Sequence, residues 1–203
     1  MDYRQLTELQ LDALREVGNI GAGNAATALS QMIQRRIDMS VPQMDILPLE
    51  KVISKLGNED DNVIAVVLRI FGDAPGDIVF LLNIESACRL VEMLTGQSVD
   101  PDAGFDEFQV SALQEIGNIL SGAYINSIVK LTGMVFISSV PAISIDMLNS
   151  LMTTVFMEAE QFDEYVLLIE ARFTEGDRNI DGHFFYIPKP GSLEKLLQAL
   201  KIM

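Results

Sequence analysis

A 203-residue chain that is 49% hydrophobic can bury a substantial core, as one large domain or two fused halves, and is not a disordered acidic tail. Its net charge of −15 and pI near 4.3 exclude the basic footprint that nucleic acid or an anionic membrane requires. The single Cys88 leaves no internal disulfide and fits a reducing compartment. No apolar run approaches the roughly 18 residues of a spanning helix, and the start M-D-Y-R-Q-L-T-E lacks a signal peptide's apolar centre, so a cytoplasmic monomer is expected.

The first predicted element is a helix over residues 5–33, with Leu14, Val17, Gly21, Ala25, Ala28 and Met32 on one face and Asp12, Glu16, Asn19 and Gly23 on the other. An extended stretch over 37–47, a short helical turn over 52–56 and an acidic loop over 57–61 follow. Residues 62–71 and 77–83 flank a G-D-A-P-G turn and predict a β-hairpin; 85–95 predicts a helix stopped by Gly96. Residues 97–104, Q-S-V-D-P-D-A-G, make the best linker. The scheme then repeats: a helix over 105–132, a strand over 135–144, an apolar helix over 145–156, an acidic loop over 158–164, a hairpin from 165–173 and 182–187, and a closing helix over 191–202 with Ser192 as its N-cap.

The repetition extends to side chains. Residues 12–24 read D-A-L-R-E-V-G-N-I-G-A-G-N and residues 111–123 read S-A-L-Q-E-I-G-N-I-L-S-G-A. Glu16 matches Glu115, Asn19 matches Asn118, and Gly18 and Gly23 match Gly117 and Gly122, at a constant offset of 99 residues that holds as far as Val41-Pro42 against Val140-Pro141. That period is too long for a solenoid and marks a duplicated domain, with halves 1–96 and 105–203. The fold class expected is α+β: a layered arrangement with pseudo-two-fold symmetry, in which one antiparallel sheet is flanked by helices.

Packing explains a repeated apolar pattern but not a repeated Glu and Asn. Positions i and i+3 adjoin on a helix, so Glu16 with Asn19 and Glu115 with Asn118 point the same way, and Asp12 or Ser111 adds a polar group one turn earlier. Asn is a poor choice for a merely solvated helix position. Gly23 and Gly122 leave bare space beside each pair. The run 21–26 satisfies G-x-G-x-x-A, but a helical pattern precedes it where a dinucleotide fold needs a strand, and Leu120 replaces the first glycine in the second copy. A carboxylate and an amide at this spacing hold no metal, and no His or Cys cluster assists them. An amide can orient water for in-line attack on phosphorus, and a carboxylate can grip a partner's Lys. Cys88 and His183 are expected to be structural.

The duplicated D/S-x-x-x-E-x-x-N with G-N-I-G-A-G-N-A-A-T-A, together with the closing Y-I-P-K-P-G at 186–191, resembles the CheC family of bacterial chemotaxis phosphatases, whose relatives include CheX and FliY. The resemblance implies hydrolysis of the aspartyl phosphate of the response regulator CheY, with two catalytic sites: Glu16 with Asn19, and Glu115 with Asn118. It implies that each Asn orients the water, that each Glu pairs with the regulator's active-site Lys, and that no cofactor is needed beyond Mg²⁺ on the regulator. It also implies binding of the receptor deamidase CheD. The alternatives are an adaptor that mainly sequesters CheD, and a flagellar-switch-like binding module. The two halves diverge most at 145–157, I-D-M-L-N-S-L-M-T-T-V-F-M. That helix either caps the sheet or docks the deamidase through Asp146, Met147, Leu151 and Met152.

Overall fold

The computed structural model describes residues 6–40, 44–158, 165–175 and 178–202. Val41-Pro42 and all of the acidic 158–164 loop except Glu158 lie outside the described residues. In chain order the elements are α1 (Glu8–Ile33), β1 (Asp38–Ser40), β2 (Met44–Pro48), α2 (Leu49–Leu56), β3 (Asn62–Gly72), β4 (Gly76–Asn83) and α3 (Ile84–Thr95). The second half supplies α4 (Glu107–Thr132), β5 (Phe136–Ser138), β6 (Ala142–Met147), α5 (Leu148–Glu158), β7 (Tyr165–Glu175), β8 (Arg178–Pro188) and α6 (Ser192–Ala199).

Among the described residues all eight strands form one antiparallel sheet. Its centre is the β4–β8 pair, with Phe80 opposite Phe184. Hairpins β3–β4 and β7–β8 lie to either side. The outer strands cross over. β1 and β2 of the first half pair with β7 of the second, and β5 and β6 of the second half pair with β3 of the first. Neither half owns a complete sheet, so the sequence halves 1–96 and 105–203 are interlocked by strand exchange.

Side chains alternate along β3 and β4, and both faces of these strands and of the later part of β8 are covered. Ile64, Val66 and Leu68 of β3, Ile78, Phe80 and Leu82 of β4, and Phe184 and Tyr186 of β8 join the larger core with α1, α3, α4 and α6. Val63, Ala65, Val79, Leu81, Phe185 and Ile187 face the other way, against Val52 of α2 and Leu148, Leu151, Met152, Val155 and Phe156 of α5. This double coverage explains why β3 and β4 are near-continuous apolar runs despite antiparallel pairing.

The expectations for residues 145–147, Ser192 and Met32 need correction. Residues 145–147 belong to strand β6, because Ile145 and Met147 pair with Ile64 and Asn62 of β3; the helix starts at Leu148. Ser192 does not cap α6: Gly191 holds the N-cap at φ 83°, and the Ser192 hydroxyl donates instead to the Pro75 carbonyl at 2.7 Å. Met32 is exposed at the end of α1, outside the core face predicted for it.

Helices α1 and α4 make the most extensive helix–helix contact in the molecule. A β-carbon at Gly21 would lie 2.5 Å from the buried Tyr124 ring and 3.3 Å from its Cα, so only glycine lets the helices approach this closely. The duplication-related positions are Leu120 and Ala25, also buried, so the large and small residues exchange sides across the pseudo-dyad. Tyr124 also meets Phe184, with ring centroids 4.8 Å apart, and burial pushes its phenol far above the usual range. Asn24 Nδ2 donates across the interface to Ser127 Oγ at 2.9 Å.

Candidate functional site

Each long helix is anchored by a capping box, and the two boxes sit at duplicated positions. Thr7 and Gln10 exchange hydrogen bonds of 2.9 and 3.3 Å at the start of α1; Asp106 and Gln109 do so at 3.1 and 2.8 Å at the start of α4. The signals were present as T-E-L-Q and D-E-F-Q, but the predicted helix starts at 5 and 105 preceded both caps. With their inner faces buried on the sheet and on each other, α1 and α4 present their outer faces to solvent as firm platforms.

Those outer faces carry the predicted residues. Asp12, Glu16, Asn19 and Gly23 are all exposed on α1; Ser111, Glu115 and Asn118 are exposed on α4, with Gly122 half-buried. Each Glu–Asn pair stands one turn before its glycine. A β-carbon at Gly23 or Gly122 would meet nothing within 4 Å, so the fold itself places no demand for glycine there. The two glycines of α1 therefore predict opposite stability effects. Gly21→Ala should destabilise by about 1–2 kcal/mol net of its helix-propensity gain, because Tyr124 must move. Gly23→Ala should stabilise by about 0.5–1 kcal/mol. Urea unfolding of the two variants checks the contrast, and equal losses would contradict it.

The two sites are not identical. Arg15 holds Asp12 in an i,i+3 ion pair at 2.6 Å, whereas the matching Gln114 donates to the Pro141 carbonyl at 3.3 Å and Ser111 has no charge. Asp12 is thus engaged within its own helix, leaving the Glu–Asn–Gly set as what both faces share. Among the described residues no group of three His, Cys, Asp or Glu could hold a metal ion, and no helix is long and apolar enough to cross a membrane.

The expected CheD surface divides. Asp146 and Met147 are exposed, with Asp146 accepting hydrogen bonds from the Met147 N–H at 2.7 Å and the Ser150 hydroxyl at 3.1 Å. Leu151 and Met152 are 4% and 0% exposed and pack under the sheet, so they are core residues and cannot serve as docking anchors in this arrangement. The apolar character of α5 comes from covering β3, the capping role.

Comparison with known proteins places this geometry. The model of the CheC-like family matches residues 9–44 and 108–145, two segments whose starts are offset by the period of the duplication. The chain is 35% identical to the CheY-P phosphatase CheC of Bacillus subtilis over 98% of this chain and 97% of that protein. It is 26% identical to the flagellar motor switch phosphatase FliY of the same organism, over 58% of this chain and 31% of that one. The crystal structure of Thermotoga maritima FliY superposes with a TM-score of 0.81 at 22% identity, covering 98% of this chain and all of that one. The duplicated Glu–Asn faces, the shared fold and the near-complete alignment with CheC place the chain in the CheC-like family.

Proposed function

We propose that the chain is a phosphatase of a CheY-type response regulator, acting at two helix faces that share one Glu–Asn–Gly set. The observation that carries this reading is the exposed Glu–Asn pair, repeated at one register on capped helices, each beside a glycine that the fold does not require. Glycine in a helix interior costs about 1 kcal/mol relative to Ala. Two such costs at matched positions, one exposed and one half-buried, fit a partner's backbone approaching closely. The relatives named as CheY-P and motor-switch phosphatases supply the substrate class.

In this mechanism the amide of Asn19 or Asn118 orients a water in line with the acyl-phosphate bond. The water oxygen attacks phosphorus, the P–O bond to the regulator's aspartate breaks, and the carboxylate departs ionised while both of the water's protons leave with inorganic phosphate. The regulator brings the phosphoryl group and its Mg²⁺, so the helix face needs only to position. Glu16 and Glu115 hold the regulator through its active-site Lys. Phosphate release from a phosphorylated CheY-type regulator tests the reading, and no acceleration over the regulator's own decay refutes it.

Glu16→Gln and Glu115→Gln should then raise KM about 5- to 30-fold at low salt, an effect that shrinks as salt screens the pair, with kcat little changed. A fall in kcat at unchanged KM would move the glutamates from binding to chemistry. The resemblance to the CheC family adds CheD as a proposed second partner, with Asp146 and Met147 as the accessible part of the expected surface.

A further inference from the structure

Leu9 and Phe108 are 65% and 61% exposed, and they stand at the same position of the duplicated register. A lone exposed apolar residue is ordinary. Two large ones kept at one register in both copies need a cause, and the described residues provide none. The capping boxes fix both first turns, so neither residue belongs to a frayed end. The residues placed for a hydrophobic staple are Leu6 and Phe105, and these pack against the larger core, leaving Leu9 and Phe108 outside it.

Their direction is informative. At about 100° per residue, Leu9, Glu16, Gly23, Asp12 and Asn19 fall in that order within an arc of about 80°. Phe108, Glu115, Gly122, Ser111 and Asn118 do the same. Each apolar residue therefore heads the stripe that carries its site. The rise of a helix puts Leu9 about 15 Å along the axis from Asn19. A folded domain of about 100 residues has a radius of gyration near 13 Å, so one engaged at Asn19 is large enough to reach Leu9 as well.

We propose that Leu9 and Phe108 are the apolar anchors that seat the receiver domain of the phosphorylated regulator, one at each site. This rests on the phosphatase reading above. The contact is continuous with the Glu–Asn face, and it supplies binding that salt does not screen, beside a glutamate pairing that salt does. Leu9 and Phe108 touch no reacting atom; they set affinity.

The test uses the full chain with one site silenced. Leu9→Ser in an Asn118→Ala background, and Phe108→Ser in an Asn19→Ala background, should each raise KM for the phosphorylated regulator about 5- to 50-fold, with kcat and melting temperature held. The conservative Leu9→Met and Phe108→Leu should keep KM near that of the matched background. An unmoved KM in the serine variants overturns the inference while leaving the phosphatase reading standing. So does an unmoved KM with loss of a dimer in sedimentation, which would assign the stripe to self-association. Absence of phosphatase activity in the unmodified protein overturns both.

Discussion

Replacing Asn19 and Asn118 together by Ala should reduce phosphate release from the phosphorylated regulator by about 10²-fold or more, the scale set by losing a single well-placed transition-state hydrogen-bonding group. Each single variant should retain the share contributed by the other helix, because the two faces lie on separate elements and share no side chain. Both residues are exposed and neither takes part in core packing, so circular dichroism and melting temperature should be unchanged. Full activity in a folded double variant would remove the amides from the mechanism. A single variant as inactive as the double would instead show that the second face is silent.

The largest stability effect is expected on the opposite side of the sheet. Leu151→Asp should cost on the order of 5 kcal/mol, combining loss of a buried leucine with an unpaired carboxylate placed in the core cluster that also holds Val63, Ala65 and Phe185. Against typical stabilities of roughly 5–15 kcal/mol this approaches global unfolding. Asp146→Lys, at an exposed position, should cost only about 1 kcal/mol through loss of its bonds to the Met147 N–H and Ser150 and of a favourable charge beside the start of α5. Denaturant titration separates the two. A stable Leu151→Asp protein would mean that α5 does not seal this face.

The contrast shows what local pattern conveys. The offset between Glu16-Asn19 and Glu115-Asn118 is a property of the chain itself, and the exposed faces follow from helical periodicity, so the candidate site was legible residue by residue. The hairpins β3–β4 and β7–β8 were legible from alternation around turns. The beginning of α5 was not: I-S-I-D-M runs into L-N-S-L-M without polar punctuation, and β6 ends where pairing with β3 ends, a contact about 80 residues distant in sequence. Ser192 has the composition of a cap, but its hydroxyl is drawn to Pro75, 117 residues away. Strand partners were hidden for the same reason, since period-two alternation identifies a strand without naming its neighbour. Leu9 and Phe108 fall on the polar stripe by the same periodicity, but only the accessible surface shows that nothing in the described fold covers them.

The strand exchange gives the duplication a thermodynamic meaning. Cut between α3 and α4, each piece would carry a hairpin lacking its outer neighbour and an outer pair of strands lacking a hairpin. Such a piece satisfies its backbone only by meeting a complementary copy, which is the arrangement of a domain-swapped dimer. The 97–104 connection replaces that encounter with an intramolecular one, at an effective concentration on the order of millimolar. Once two copies reside in one chain they are free to diverge. Gly21 against Leu120, and Asp12 against Ser111, are substitutions that a symmetric dimer of identical subunits could not make on one side alone. Tethering thus converts a symmetric assembly into a heterodimer of its own halves, each able to tune its face without altering the other.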